Sequence, residues 1–330
     1  MPTQLDNPVS RVVSLEEAFL HPRVWNLYPD GLQRRYAHLK ERLSDVAQRI
    51  SLMDDAGIDL QVLSHAHPGV QIIPDRDADL ATTICRDVND WLAATVGAYP
   101  TRLAGFATLP TQSPDAAAAE LHRAVNHLGL KGALINGHTN GRYLDDPAFD
   151  KLLGTAAELG VPIYLHPTDP PEAISEIYYQ PFSALIPSWG WPVETATHVL
   201  RLMCAGVFDR YPDLTIIVGH LGELLPYCYT RLDAGLTQAM GALVPHTGMR
   251  NRNSAAHYLK SNVFATSSGV FDQPVFDCAV AMLGIDRLMF SVDYPFQDSE
   301  TAMEFLRHCA LSPDDKERFA HGNADQLLKL

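Results

Sequence analysis

Short, apolar, β-branched runs recur down this chain, each separated from the next by a segment long enough for a helix, and that recurrence restricts the fold more than any other feature. In order they are "RVVSLEEA" (11–18), "LQVLSHA" (60–66), "LAGFATLP" (103–110), "GALING" (132–137), "PIYLHP" (162–167), "LTIIVGH" (214–220), "NVFATSSG" (262–269) and "RLMFSVDYP" (287–295). Between them, "DADLATTICRDVNDWLAATVGAYP" and "DDPAFDKLLGTAAELG" start acidic, repeat apolar residues at 3–4 spacing and stop at Gly or Pro. "SPDAAAAELHRAVNHLG" adds a serine cap with Pro114 just inside the helix. Continuously apolar strands alternating with helices predict a parallel sheet covered on both faces. Eight such units predict an α/β chain forming a single (β/α)8 barrel, one domain over residues 1–330. No G-x-G-x-x-G or G-x-x-x-x-G-K-[ST] stretch supports the rival doubly wound sheet. The Pro- and aromatic-rich stretch 168–192 reads as a long insertion after strand five, a wall or lid over the cleft.

Barrel enzymes place their chemistry at the C-terminal strand ends. Here those ends carry Glu16, His166, His220 and Asp293. Any one alone reads equally well as a hydrogen-bonded polar residue closing a barrel. Four on one rim read as an oxygen/nitrogen ligand set for a metal, because unpaired buried charge is costly. Strand alternation predicts that Ser14, Glu16 and Ala18 face inward while Leu15 and Phe19 pack beneath the helices. Glu17 is then expected to pair or cap near the rim, and Ala18 to occupy a ligand position without a ligand.

Lys and Arg number 25 against 39 Asp and Glu, a net charge of −14 that argues against nucleic acid or an anionic membrane as partner. The five cysteines are dispersed, with no C-x-x-C pair, as expected for reduced thiols. The opening "MPTQLDNPVSR" has neither a basic start nor an apolar core, and no run reaches the roughly 20 apolar residues of a spanning helix. A cytoplasmic location is the expectation.

The stretches "LEEAF", "LMDDAGID", "NGHTNGRYLDD", "YLHP", "GHLGELLPYCYTRLD" and "FSVDYPF" together resemble the amidohydrolase superfamily, in its metal-dependent aromatic-acid decarboxylase branch. The resemblance runs from about residue 12 to the C-terminus and is similar to 5-carboxyvanillate, 2,3-dihydroxybenzoate and γ-resorcylate decarboxylases, with "NGHTNGRYLDD" and "LKSNVFATSSGV" pointing to the first. It implies one divalent metal on Glu16, His166 and Asp293, with no organic cofactor. Many relatives carry histidine two residues after the first glutamate; this chain has E-x-A. Two carboxylates and one imidazole favour Mn²⁺ or Mg²⁺, with Zn²⁺ also accommodated.

The same resemblance implies that Asp293, His220 and Glu223 carry the acid–base step, Glu223 fixing the tautomer of His220. It implies Arg231, His220, His138 and Phe296 at the substrate. Arg231 sits near Asp233 and reads equally as a solvated helix arginine, and His138 equally as structural. Arg34 and Arg35 are both candidates for a further substrate arginine. Asn136 is a candidate for the cleft, His65 and His67 are expected to be uninvolved, and Trp189 and Trp191 suit either ring stacking or a core.

The implied activity is non-oxidative decarboxylation of a phenolic benzoate carrying hydroxyl or methoxyl ortho to its carboxylate. Its proton would come from Asp293, from the substrate or through His220. A metal-dependent hydrolase or hydratase of a lactone, ester or unsaturated dicarboxylate is the alternative, disfavoured by E-x-A. A non-catalytic binding barrel fits least well, given four intact strand-end groups. The expected partner is a small aromatic acid, and the expected assembly a homodimer or homotetramer.

Overall fold

The computed structural model describes residues 9–240 and 248–330, so most of the opening stretch "MPTQLDNPVSR", on which the expectation of no leader rests, lies outside the described residues. Among the described residues nine strand segments run parallel: β1 Val13–Phe19, β2 Leu60–His65, β3 Leu103–Gly105, β4 Ala107–Thr108, β5 Ala133–Asn136, β6 Ile163–His166, β7 Ile216–Val218, β8 Val263–Thr266 and β9 Leu288–Met289. They form two arcs, β1-β2-β3 and β4 through β9, in chain order. The third predicted strand is thus in two pieces. Phe106, between them, donates its amide to Leu63 of one arc, and Ala107 donates to Gly132 beside the other. At the opposite seam Leu15 pairs in parallel with Ser291, and the Ala18 amide donates to Tyr294 O at 2.7 Å. The ring of strands closes as a (β/α)8 barrel.

Val13, Leu15, Val62, Ala104, Phe106, Tyr164, Ile217 and Met289 fill the interior as one cluster. The outer faces pack against the helices through a much larger core that includes Phe19, Leu92, Leu121 and Leu152. The predicted helices form over Ala78–Ala98, Pro114–Asn126 and Asp150–Leu159, the last stopped by Gly160 at φ 59°. Ser113 takes the cap position of the second in extended backbone, but its side chain makes no cap hydrogen bond. The insertion is not a bare loop. It holds a helix, Glu172–Tyr179, and a turn, Ile186–Gly190, that runs directly into the helix Trp191–Cys204. Among the described residues no helix is long and apolar enough to cross a membrane.

Candidate active site

At the end of β1 the simple alternation fails. The register against β2 shifts between Ser14 and Glu17, and Glu16 has φ 58°. This bulge turns two successive residues to one side. Leu15 joins the interior cluster, against expectation, and Ser14 turns away from it to hydrogen-bond Glu17. Glu16 nevertheless faces inward, because the bulge reverses the parity halfway along the strand. Phe19 stacks on Trp91 as expected, at 5.1 Å. Glu17 lies fully buried behind the strand rather than at the rim; burial pushes its carboxyl up to about 7, although Ser14, the Val292 and Tyr294 amides and nearby Arg49 all favour the charged form.

Glu16 is 2% exposed. Its Oε2 accepts from the hydroxyls of Tyr164 and Ser268, two anchors that strand-end reasoning did not single out. Its Oε1 has no hydrogen-bond partner and lies 3.4 Å from His166 Nε2. Pro167 O is 2.7 Å from His166 Nδ1, and a carbonyl only accepts, so Nδ1 carries the hydrogen. Burial holds the ring below its ordinary pKa, outweighing the pull of Glu16, so Nε2 of the neutral ring is a bare lone pair. Two acceptors facing each other in a buried site suit a cation between them.

His220 follows β7 in a turn where His220, Leu221 and Glu223 have φ of 52°, 56° and 56°. L-residues adopt that region only when their surroundings hold them there. The turn brings His220 Nδ1 within 2.9 Å of Glu223 Oε1, and Glu223 sits before the helix Leu225–Met240 rather than in it. Burial pulls the His220 pKa down, but Glu223, Glu16 and Asp293 together raise it to about 10. Asp293, beyond β9 at φ 75°, has its carboxyl raised well above the usual range by burial first and the charge of Glu16 second, with His220 opposing. Excess negative charge around one cavity is what a divalent ion relieves. Two carboxylates and an imidazole fit a hard ion such as Mn²⁺. Among the described residues, no three His, Cys, Asp or Glu side chains stand close enough together to hold a metal ion as they are placed here.

His166, His220 and Asp293 border a cavity of about 470 Å³, within the usual range for small-molecule sites. Arg35, His67, Trp191 and Phe296 supply other parts of its wall. Arg35, not Arg34, is the arginine there, its guanidinium 5.9 Å from the Trp191 ring. Trp191 is anchored by a 2.6 Å bond from Nε1 to Asp169, whereas Trp189 is 53% exposed. His67, expected to be uninvolved, borders the cavity with its ring 5.1 Å from Trp191 and Nε2 3.0 Å from Thr168 Oγ1. Its "SHAHP" context carries no signal for this, since its ring neighbours His166, Thr168 and Trp191 are all distant in sequence. His65 is buried behind it, with Nδ1 on Ala66 O.

Other candidates stay outside. His138 does not border the cavity: Nδ1 accepts from Gly141 N and Nε2 reaches Asp169 O, so both ring nitrogens tie loops together. Arg231 is exposed on its helix and does not border the cavity either. Asn136 is buried, its amide N–H donating to Gln71.

The amidohydrolase family profile matches residues 23–330. The chain belongs to the amidohydrolase family. Among amidohydrolase relatives, γ-resorcylate decarboxylase of Rhizobium radiobacter is 38% identical over 96% of this chain and 98% of its own. The crystal structure of 2,6-dihydroxybenzoate decarboxylase complexed with 2,6-dihydroxybenzoate superposes with a TM-score of 0.88 at 37% identity, covering 97% of this chain and 98% of that one. 5-Carboxyvanillate decarboxylase from Novosphingobium aromaticivorans, complexed with manganese and 4-hydroxy-3-methoxy-5-nitrobenzoic acid, gives a TM-score of 0.89 at 34% identity, covering 97% and 96%.

Proposed function

We propose that this amidohydrolase is a metal-dependent carboxy-lyase that removes CO₂ non-oxidatively from a phenolic benzoate bearing an oxygen ortho to its carboxylate. The observation that carries the reading is the pair of unshared acceptors, Glu16 Oε1 and His166 Nε2, beside a cavity that also presents Asp293 and His220. Glu16, His166 and Asp293 would hold one divalent ion, Mn²⁺ or Mg²⁺ in preference to Zn²⁺, and no organic cofactor is needed. Bound there, the ion would chelate the carboxylate and ortho oxygen and stabilise phenolate charge. Similar structures that hold manganese with a nitrobenzoate or a nitroresorcinol support this.

Phe296 and Trp191 supply aromatic surface in the cavity wall for the ring, and Arg35 offers a guanidinium for a carboxylate or phenolate. The proton needed at the ring carbon would come from the substrate's own hydroxyl or through His220, whose imidazolium is favoured by Glu223 at 2.9 Å, while Asp293, holding the ion, would be ionised. Proton transfer forms the new C–H bond at the carbon bearing the carboxylate. The C–C bond then breaks, its electron pair restores the aromatic ring, and CO₂ leaves.

A homodimer or homotetramer is part of this reading, supported by the apolar side chains the insertion exposes: Ile177 at 74%, Tyr178 at 68% and Phe182 at 69%. The cytoplasmic location rests on five dispersed cysteines, all free. The test is a panel of ortho-hydroxy and ortho-methoxy benzoates followed by ultraviolet absorbance and CO₂ release. Turnover is expected with Mn²⁺ and is lost on chelation. Full activity in metal-stripped protein would refute the metal-dependent reading, and a product that has gained water and lost no CO₂ would refute decarboxylation in favour of the hydrolase alternative.

A further inference from the structure

The chain carries two adjacent glutamates at the end of β1, and the reaction uses only the first. Glu17 is fully buried, on the opposite side of the bulge from Glu16. Its Oε1 accepts from the Val292 amide at 3.1 Å and its Oε2 from the Tyr294 amide at 3.1 Å. Those two amides bracket Asp293. One carboxylate therefore grips the backbone immediately before and immediately after the residue that must aim its own carboxylate into the cavity.

The grip is braced from behind. Ser14 Oγ donates to Glu17 Oε1 and accepts from the same Val292 amide at 3.0 Å. Gln61 Nε2 donates to Oε2 at 3.3 Å, and Gln61 Oε1 accepts from buried Arg49 at 3.0 Å. Arg49 also donates to Ala18 O and lies 4.5 Å from the Tyr294 ring. Asp293 needs such support, because φ 75° is a conformation an L-residue keeps only when its surroundings over-determine it. The seam between the first and last strands does not itself depend on Glu17: it is also closed by Ala18 N to Tyr294 O at 2.7 Å, by Leu15 N to Phe290 O at 3.4 Å and by Ser291 Oγ to Leu15 O.

We propose that Glu17 is a positioning residue: it fixes the direction of Asp293 and thereby the spacing between the Asp293 and Glu16 carboxylates at the metal site. Glu16 and Asp293 come from opposite ends of the chain, and the Glu16–Glu17 peptide is the short covalent link between the first of them and the clamp on the second. The proposal rests on the metal-dependent reading above.

The test compares Mn²⁺ affinity, by calorimetry on metal-stripped full-length protein, for wild type, Glu17→Gln, Ser14→Ala and Glu120→Gln. Glu120 is a buried carboxylate elsewhere, held by Asn89 and Arg123, so its variant reports general damage to the core. Changes behind metal ligands typically cost about 10- to 100-fold in affinity or activity. Glu17→Gln, which turns one acceptor into a donor facing an amide, is expected to bind Mn²⁺ at least about tenfold more weakly. Ser14→Ala should fall between it and wild type, and Glu120→Gln should stay at the wild-type value. At saturating Mn²⁺, Glu17→Gln should lower kcat while leaving KM near wild type. Wild-type Mn²⁺ affinity in folded Glu17→Gln, or the same loss in Glu120→Gln, overturns the proposal. If Glu17→Gln does not fold, Ser14→Ala decides, and unchanged affinity there overturns it. Failure of the wild type itself to bind Mn²⁺ sinks the metal reading instead.

Discussion

Gly219, between β7 and His220, offers a direct probe of how closely the site is built. Its φ is ordinary, so alanine brings no backbone strain. A Cβ there would stand 2.7 Å from Glu16 Oε2 and 3.3 Å from Oε1. Ordinary contact begins at 3.4 Å, so the carboxylate would have to retreat by 3.4 − 2.7, about 0.7 Å. It cannot swing aside freely, because Tyr164 and Ser268 both hold Oε2, and Tyr164 is in turn held by Thr266 at 2.6 Å. A misplacement near 1 Å at a reacting centre costs on the order of 100-fold in rate. Gly219→Ala is therefore expected to lower kcat/KM by roughly 10- to 100-fold, about 1.4 to 2.7 kcal/mol of barrier. The overpacking should cost about 1 to 3 kcal/mol of stability. Gly97→Ala is the comparison, since nothing lies within 4 Å of its Cβ and the site is at the end of the helix Ala78–Ala98. That change should leave kinetics unaltered and raise stability by up to about 1 kcal/mol. Steady-state kinetics at saturating Mn²⁺ and urea unfolding provide the readouts. Wild-type kcat/KM in Gly219→Ala would refute the claim that Glu16 is held in a single position.

Arg35→Ala should raise KM for a benzoate substrate by roughly tenfold, through loss of a charge-assisted contact, while Arg34→Ala leaves it unchanged; equal effects in steady-state kinetics would refute the assignment. Acid should destabilise the fold through His198, whose Nε2 accepts from the Leu144 amide at 2.8 Å and whose ring is fully buried. Burial first, then the charges of His138 and Arg201, lower its pKa from 6.5 to about 3. Because the folded pKa is depressed, the stabilisation is present above pH 6.5 and is lost as pH falls toward 3. At pH 5 the loss is about 2 kcal/mol. Urea unfolding at pH 7.5 and pH 5 should show that much more loss in wild type than in His198→Gln, which keeps an acceptor but cannot charge; identical losses would refute it.

What was legible in the sequence depended on periodicity and on residue type at strand ends. Apolar runs alternating with helical segments are local patterns, and eight of them determine the barrel and the rim where chemistry sits. That Glu16, His166, His220 and Asp293 gather at one rim was readable because carboxylates and imidazoles at buried strand ends are costly when left unpaired. The His220–Glu223 pair was readable because three residues of separation keep partners close in almost any turn.

Tertiary structure alone decided the rest. The bulge at Glu16 depends on pairing with β2 and with Ser291 just beyond β9, so counting along β1 places Leu15 and Ser14 on the wrong faces while still reaching Glu16. Arg35 and Arg34 are adjacent in sequence, and only the cavity wall, where Arg35 alone reaches Trp191, separates them. His67 gains its place in the cavity wall beside Thr168 and Trp191, more than a hundred residues away, whereas His138 is taken up by Gly141 and Asp169 and Arg231 is exposed on its helix, so neither borders the cavity. Glu17 is the sharpest case. Its neighbours in sequence say nothing of Asp293, and only closure of the first strand against the last brings that carboxylate onto the amides of Val292 and Tyr294. A sequence records which groups are available, whereas direction and distance between segments far apart in the chain exist only once the barrel has closed.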